Sequence, residues 1–160
     1  MKFTDSQKEE TYKTLGLVAM HSGGAEYKVS WAMYLLEDGI ETDNLLILAT
    51  LLKPWNEFEV EDYFNRTLHE LDIERPTSEK AIERYIKVVA SEAINEVISP
   101  RVAVAKIYEA NIQLGYPGEL GEFTSLEDEW YCEFNDLSKE KRNEEILKAC
   151  RTRKVYKRNS

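Results

Sequence analysis

The chain has 160 residues, 42% apolar and 32% charged, with a formal charge of −9. That is the size of one domain able to bury about two-thirds of its unfolded surface without a metal or disulfide staple, and the composition is globular rather than disordered. No apolar run reaches the roughly 18 residues of a membrane span; the longest, around Leu45 to Leu52, stops at Lys53 and Pro54.

The opening stretch MKFTDSQKEETYK has no apolar region of the kind a secretory signal needs. The two cysteines, Cys132 and Cys150, read as reduced thiols. Both point to an expected cytoplasmic location. The charge is unevenly spread. Lys148, Arg151, Arg153, Lys154, Lys157 and Arg158 occur with no acid between Lys148 and Ser160, so residues 1–147 are six charges more negative than the whole chain. Such a body repels phosphate backbones and anionic membranes and favours a basic protein as partner. The basic tail is a real patch, but it holds one aromatic, Tyr156, so nucleic acid is not the expected partner.

Glycine and proline fall at boundaries, and the segments between them carry helical stripes. A first helix is predicted from Ser6 to Met20, with Ser6 and Glu9 as a capping box and Ser22-Gly23-Gly24 as its stop. A second runs from Ala25 to Glu37. Gly39 is free to take the left-handed position after it, and Ile40 can pack back. Thr42 or Asp43 caps a third helix from Asn44 to Leu52, apolar nearly all round and therefore expected to be buried. Asn56 caps a fourth, Glu57 to Leu71, with the stripe Val60, Tyr63, Phe64, Leu68 and Leu71.

Thr77 or Ser78 caps a fifth helix of about twenty residues, whose inner face is Ile82, Tyr85, Ile86, Val89, Ala93 and Val97. Ser99-Pro100 reads as a cap followed by proline at the first helical position. That sixth helix ends near Leu114. YPGELGEFTSL is irregular, Glu127 to Phe134 is a short helix, and Ser138 to about Arg151 is the last, with Ile146, Leu147 and Cys150 inward and the basic tail frayed. No strand is predicted. The expected fold is all-α, one helical domain over 1–150 forming a compact bundle of about six to eight helices, with a short α-solenoid as the alternative.

Catalytic signals are sparse. His21 ends the first helix and His69 lies on the outer side of the fourth; neither belongs to a Glu-x-x-His or His-Glu-x-x-His pattern. The cysteines lack zinc-site spacing, and the glycines match no phosphate-cradling loop. No cofactor and no metal are expected. Two acidic runs stand out, Glu57-Glu59-Glu61-Asp62 and Glu127-Asp128-Glu129, both in first turns where negative charge is favoured by the helix dipole. Trp130 beside the second run is a candidate aromatic anchor, while Trp31 belongs to the core and Trp55 to a staple at the start of the fourth helix.

The apolar spacing of Trp31-Ala32, Leu35-Leu36, Gly39, Leu45, Leu48-Ala49, Phe64, Leu68 and Glu70-Leu71 resembles an uncharacterised family of small helical bacterial proteins. Ala93-Ile94 with Pro100 and Ile107, and Glu145-Ile146-Leu147 with Ala149, extend the resemblance. The family pattern has glycine where this chain has Asn95 or Glu96. The resemblance implies an all-helical bundle and carries no activity. The expected function is non-enzymatic binding of a basic protein through Glu57, Glu59, Glu61, Asp62, Glu127, Asp128, Glu129 and Trp130, in its most concrete form an immunity-type capture of a basic toxin or nuclease. The alternative is a helical enzyme or metal-binding bundle using Glu57, Glu61, Glu127 or Asp128.

Overall fold

The computed structural model describes residues 2–115 and 139–158, and side chains for 2–115 and 140–152. Among these residues there are seven helices and no strand, so the fold is all-α. The helices are α1 (Asp5–Met20), α2 (Ala25–Glu37), α3 (Asp43–Ala49), α4 (Glu57–Glu70), α5 (Ser78–Ile94), α6 (Pro100–Gln113) and α7 (Lys139–Arg158). They fall into two compact units, Met1–Tyr85 and Ile86–Ser160, with the boundary inside α5. No helix among the described residues is long and apolar enough to cross a membrane.

Local signals set most helix ends. Asn56 Oδ1 accepts the Phe58 and Glu59 N–H groups and starts α4. Ser99 caps α6 ahead of Pro100. Helix α2 closes as predicted: Gly39 takes a φ of 92°, its N–H donates to Leu36 O, and Ile40 N–H donates to Leu35 O. The same closure ends α4 and α5 with non-glycine residues in the left-handed position, Asp72 at a φ of 55° and Glu96 at 60°. There Ile73 N–H donates to Leu68 O and Val97 N–H to Glu92 O.

Four expectations need correction. Thr4, not Ser6, caps α1: Gln7 N–H donates to Thr4 Oγ1 (3.1 Å) and Thr4 N–H to Gln7 Oε1 (2.9 Å). Gln7 also donates from Nε2 to Asp38 Oδ2 (2.6 Å) at the end of α2, a tertiary bond that a glutamate at the box position could not make. Helix α3 is shorter than predicted and buries one face only. Leu45 and Leu48 are inside, whereas Leu46 and Ile47 are 41% and 39% exposed, because α2 and α4 cover a single side of it. Val97 lies beyond the end of α5 and is 70% exposed. The helical backbone of α7 continues through the basic tail to Arg158, where arginine and lysine are good helix formers and cations suit a helix C-terminus. The predicted helix over 127–134 lies outside the described residues.

In the first unit α1 packs on α2, and α2, α3 and α4 pack on one another around Trp31, Leu35, Leu45, Leu48, Val60 and Phe64. In the second, α6 packs on α7, with Ala103, Val104, Ile107, Ile146, Ala149 and Cys150 buried. One glycine breaks the boundary rule. Gly16 lies inside α1, and a Cβ there would overlap Tyr85 Cβ and press on the Ala81 carbonyl at 3.1 Å. Gly16 is therefore what lets the start of α5 lie directly on α1. Gly16→Ala should lower stability by about 1–3 kcal/mol, because overpacking exceeds the up to about 1 kcal/mol gained in helix propensity. Urea melting of the variant checks the sign.

Candidate functional site

The apolar face of α2 contains Ala25, Val29, Ala32 and Leu35, and Lys28 sits on that same face, only 3% exposed. An ammonium withdrawn from water needs partners. Lys28 Nζ donates to the Gly23 carbonyl (2.7 Å) and forms an ion pair with Glu61 Oε2 of α4 at 2.6 Å. The other oxygen of Glu61 accepts from Arg75 Nη1, and Arg75 also donates to Asn65 Oδ1 at 2.7 Å. Both cations stand over the Phe64 ring, Lys28 Nζ at 5.7 Å and the Arg75 guanidinium at 5.4 Å from its centroid. Phe64 meets Trp31 edge-on at 5.4 Å, and Trp31 Nε1 donates to Thr11 Oγ1 at 3.0 Å.

Burial alone would raise the carboxyl pKa of Glu61. The hydrogen bonds and charges of Lys28 and Arg75 outweigh it and hold Glu61 below the usual glutamate value. Glu61 is thus a fixed anion and a weak base.

An open cleft of about 340 Å³ lies over this clamp, with Lys28, Glu61 and Arg75 on its floor and His21, Glu57 and Phe58 around it. Gly23 takes a φ of 79°, which disfavours any side chain there, and a Cβ would stand 3.0 Å from Glu57 Oε2. His21 is the C-cap residue of α1, its ring 5.6 Å from Tyr27, and His69 is exposed on α4. Among the described residues no three His, Cys, Asp or Glu side chains converge as a metal site.

The helix separates the acids of the first run. Glu57 and Glu61, one turn apart, both line the cleft. Asp62 and Glu59 follow on the outer arc of α4, where both are exposed and Asp62 pairs with Arg66 at 2.9 Å. Glu70, one turn after Arg66, does not extend the Asp62–Arg66 pair. It accepts instead from Thr42 Oγ1 (2.8 Å) and from Asn44 N–H (2.9 Å), capping α3 from the neighbouring helix. Glu127, Asp128, Glu129 and Trp130 lie outside the described residues.

Three residues escape a reading by composition. Phe58, 87% exposed between Glu57 and Glu59, falls off the stripe of α4, and that misfit is its signal. Lys28 is a cation on an apolar face, which signals a buried pair. Arg75 sits in the segment between α4 and α5 and offers no such sign.

The clamp makes an asymmetric prediction. Glu61→Gln strands the Lys28 ammonium and should cost about 3 kcal/mol, the low end for a broken buried pair, because Glu61 itself is 38% exposed. Lys28→Met removes the stranded charge at similar volume and should stay within about 1 kcal/mol of the parent, because Arg75 and water remain for Glu61. Denaturant melting at neutral pH distinguishes the two.

The comparisons with known proteins supply no template for this arrangement: no family model, no curated protein and no solved structure matches the chain.

Proposed function

We propose that the chain is a non-enzymatic, cytoplasmic interaction protein that captures a basic protein on the outer face of α4. An immunity-type role, with a basic toxin or nuclease as the captured partner, is the concrete form of this reading. The observation that supports it best is Phe58. This phenylalanine is 87% exposed, with Glu57 and Glu59 as neighbours and Asp62 one turn on, and offers a rigid aromatic anchor inside an acidic surround. Leu52, six residues earlier in the segment between α3 and α4, is likewise 86% exposed.

An aromatic anchor within an acidic rim suits a partner that presents an apolar pocket ringed by lysine and arginine. The rim acids raise the encounter rate and the anchor slows release. Glu61 supports this face without joining it, since both its oxygens are held by Lys28 and Arg75.

The two roles separate kinetically. Against the immobilised basic partner recovered from the native cell, Glu59→Lys combined with Asp62→Lys should slow association and flatten its salt dependence. Phe58→Ala should leave association nearly unchanged and speed dissociation by about 30-fold, the effect of losing a hot-spot side chain. Affinity independent of salt, with all three substitutions binding like the parent, would contradict the proposal.

A further inference from the structure

A second cleft, of about 410 Å³, lies elsewhere in the first unit, within the size range of small-ligand sites. It is formed by the extended Phe3, by α1, by the turn after α4 and by Arg84 of α5. None of its lining residues belongs to the α4 face discussed above.

Its charges are arranged in an unusual way. The Arg84 guanidinium is half-buried over the Tyr12 ring, 5.0 Å from the centroid, and has no carboxylate partner among the described residues. A guanidinium stacked on a ring keeps its edge N–H groups for a planar acceptor, and partial removal from water strengthens its preference for an anion. Asp72 and Glu74 line the same cleft, yet neither pairs with Arg84 or with any other cation among the described residues. Asp72 is held firmly. It occupies the left-handed position of the α4 closure, with its own N–H donating to His69 O and the Ile73 N–H to Leu68 O.

The rest of the lining holds two exposed lysines, Lys2 and Lys8, the second near Asp5 at 4.0 Å, and an apolar wall in which Leu71 is buried and Phe3 and Ile73 are half-buried. Thr11 contributes shape alone, since its hydroxyl donates to Gln7 O and accepts from Trp31 Nε1.

A cleft that offers a planar cation, unpaired carboxylates and an apolar wall answers to a ligand carrying both charges and an apolar group. Arg84, Lys2 and Lys8 attract a phosphate dianion, but it would meet the carboxylates of Asp72 and Glu74 and leave the apolar wall uncovered, and a simple cation would leave Arg84 unanswered. We propose that this cleft binds a small zwitterion with an apolar side chain, of the free amino acid or dipeptide class, with its carboxylate on Arg84, its ammonium on Asp72 and Glu74, and its side chain against Leu71, Ile73 and Phe3.

The test is an amide-shift titration of the isotope-labelled chain with L-phenylalanine, N-acetyl-L-phenylalanine, L-phenylalaninamide and inorganic phosphate. The expected result is saturable shifts at Tyr12, Ile73 and Arg84 with L-phenylalanine. The acetyl and amide forms should each bind at least about tenfold more weakly, the effect of one lost charged contact. Arg84→Gln should weaken L-phenylalanine to the same degree. So should Asp72→Asn, which leaves the left-handed backbone intact because asparagine tolerates it. An unchanged amide spectrum outside the cleft shows that each variant is folded. Three results would overturn the assignment: no saturable shift up to about 20 mM, the weak end of specific binding; an acetyl form or phosphate that binds as well as L-phenylalanine; or folded variants that bind like the parent.

Discussion

The first unit depends on one electrostatic constraint: the Lys28 ammonium is inside, and it has to be met. Its position on the inward face of α2 fixes where Glu61 of α4 must come. Glu61 in turn draws in Arg75, so a single carboxylate joins α2, α4 and the segment leading to α5. The Phe64 ring beneath both cations converts an ionic contact into a packed one, and Trp31 and Thr11 carry the connection on to α1. A pair of this kind adds little net stability compared with apolar residues of the same volume. What it supplies is register, because α2 and α4 cannot slide without uncovering the charge.

That constraint also divides the acids of α4 by task. Glu61 is occupied by the clamp, and Glu57 lies against the Gly23 turn. Glu59, Asp62 and the exposed Phe58 remain on the outer arc, a rigid helical surface braced from behind by Val60, Phe64 and Leu68. A recognition face on a braced helix loses little freedom on binding. The cleft at Arg84 and Asp72 is built the same way, on a helix and on a hydrogen-bonded helix closure rather than on a loose loop.

Those features that depend on neighbouring residues in the chain were legible in the sequence. Asn56, Ser99-Pro100 and Gly39 mark the ends of α4, α6 and α2 because caps and left-handed closures are local chemistry. The misreadings share a cause. Gln7 of the Thr4 box is drawn to Asp38 on α2, and α3 is half-exposed because two helices cover one side of it. Each outcome is decided by a partner distant in sequence. The same holds for the candidate site. Lys28 was visible as a cation on an apolar face, but nothing local selected Glu61 from four similar acids, and Arg75 gave no signal.

The most direct measurement is the carboxyl carbon titration of Glu61 by NMR, in the parent and in Lys28→Met. Because the pair holds the folded pKa below its unfolded value, its stabilisation is present above that unfolded value and is lost as pH falls through the folded one. The parent should therefore titrate below the usual glutamate range, and removal of Lys28 should move the midpoint upward. A Glu61 that titrates at the ordinary value and does not respond to the loss of Lys28 would contradict the clamp, and with it the account of how α4 is held.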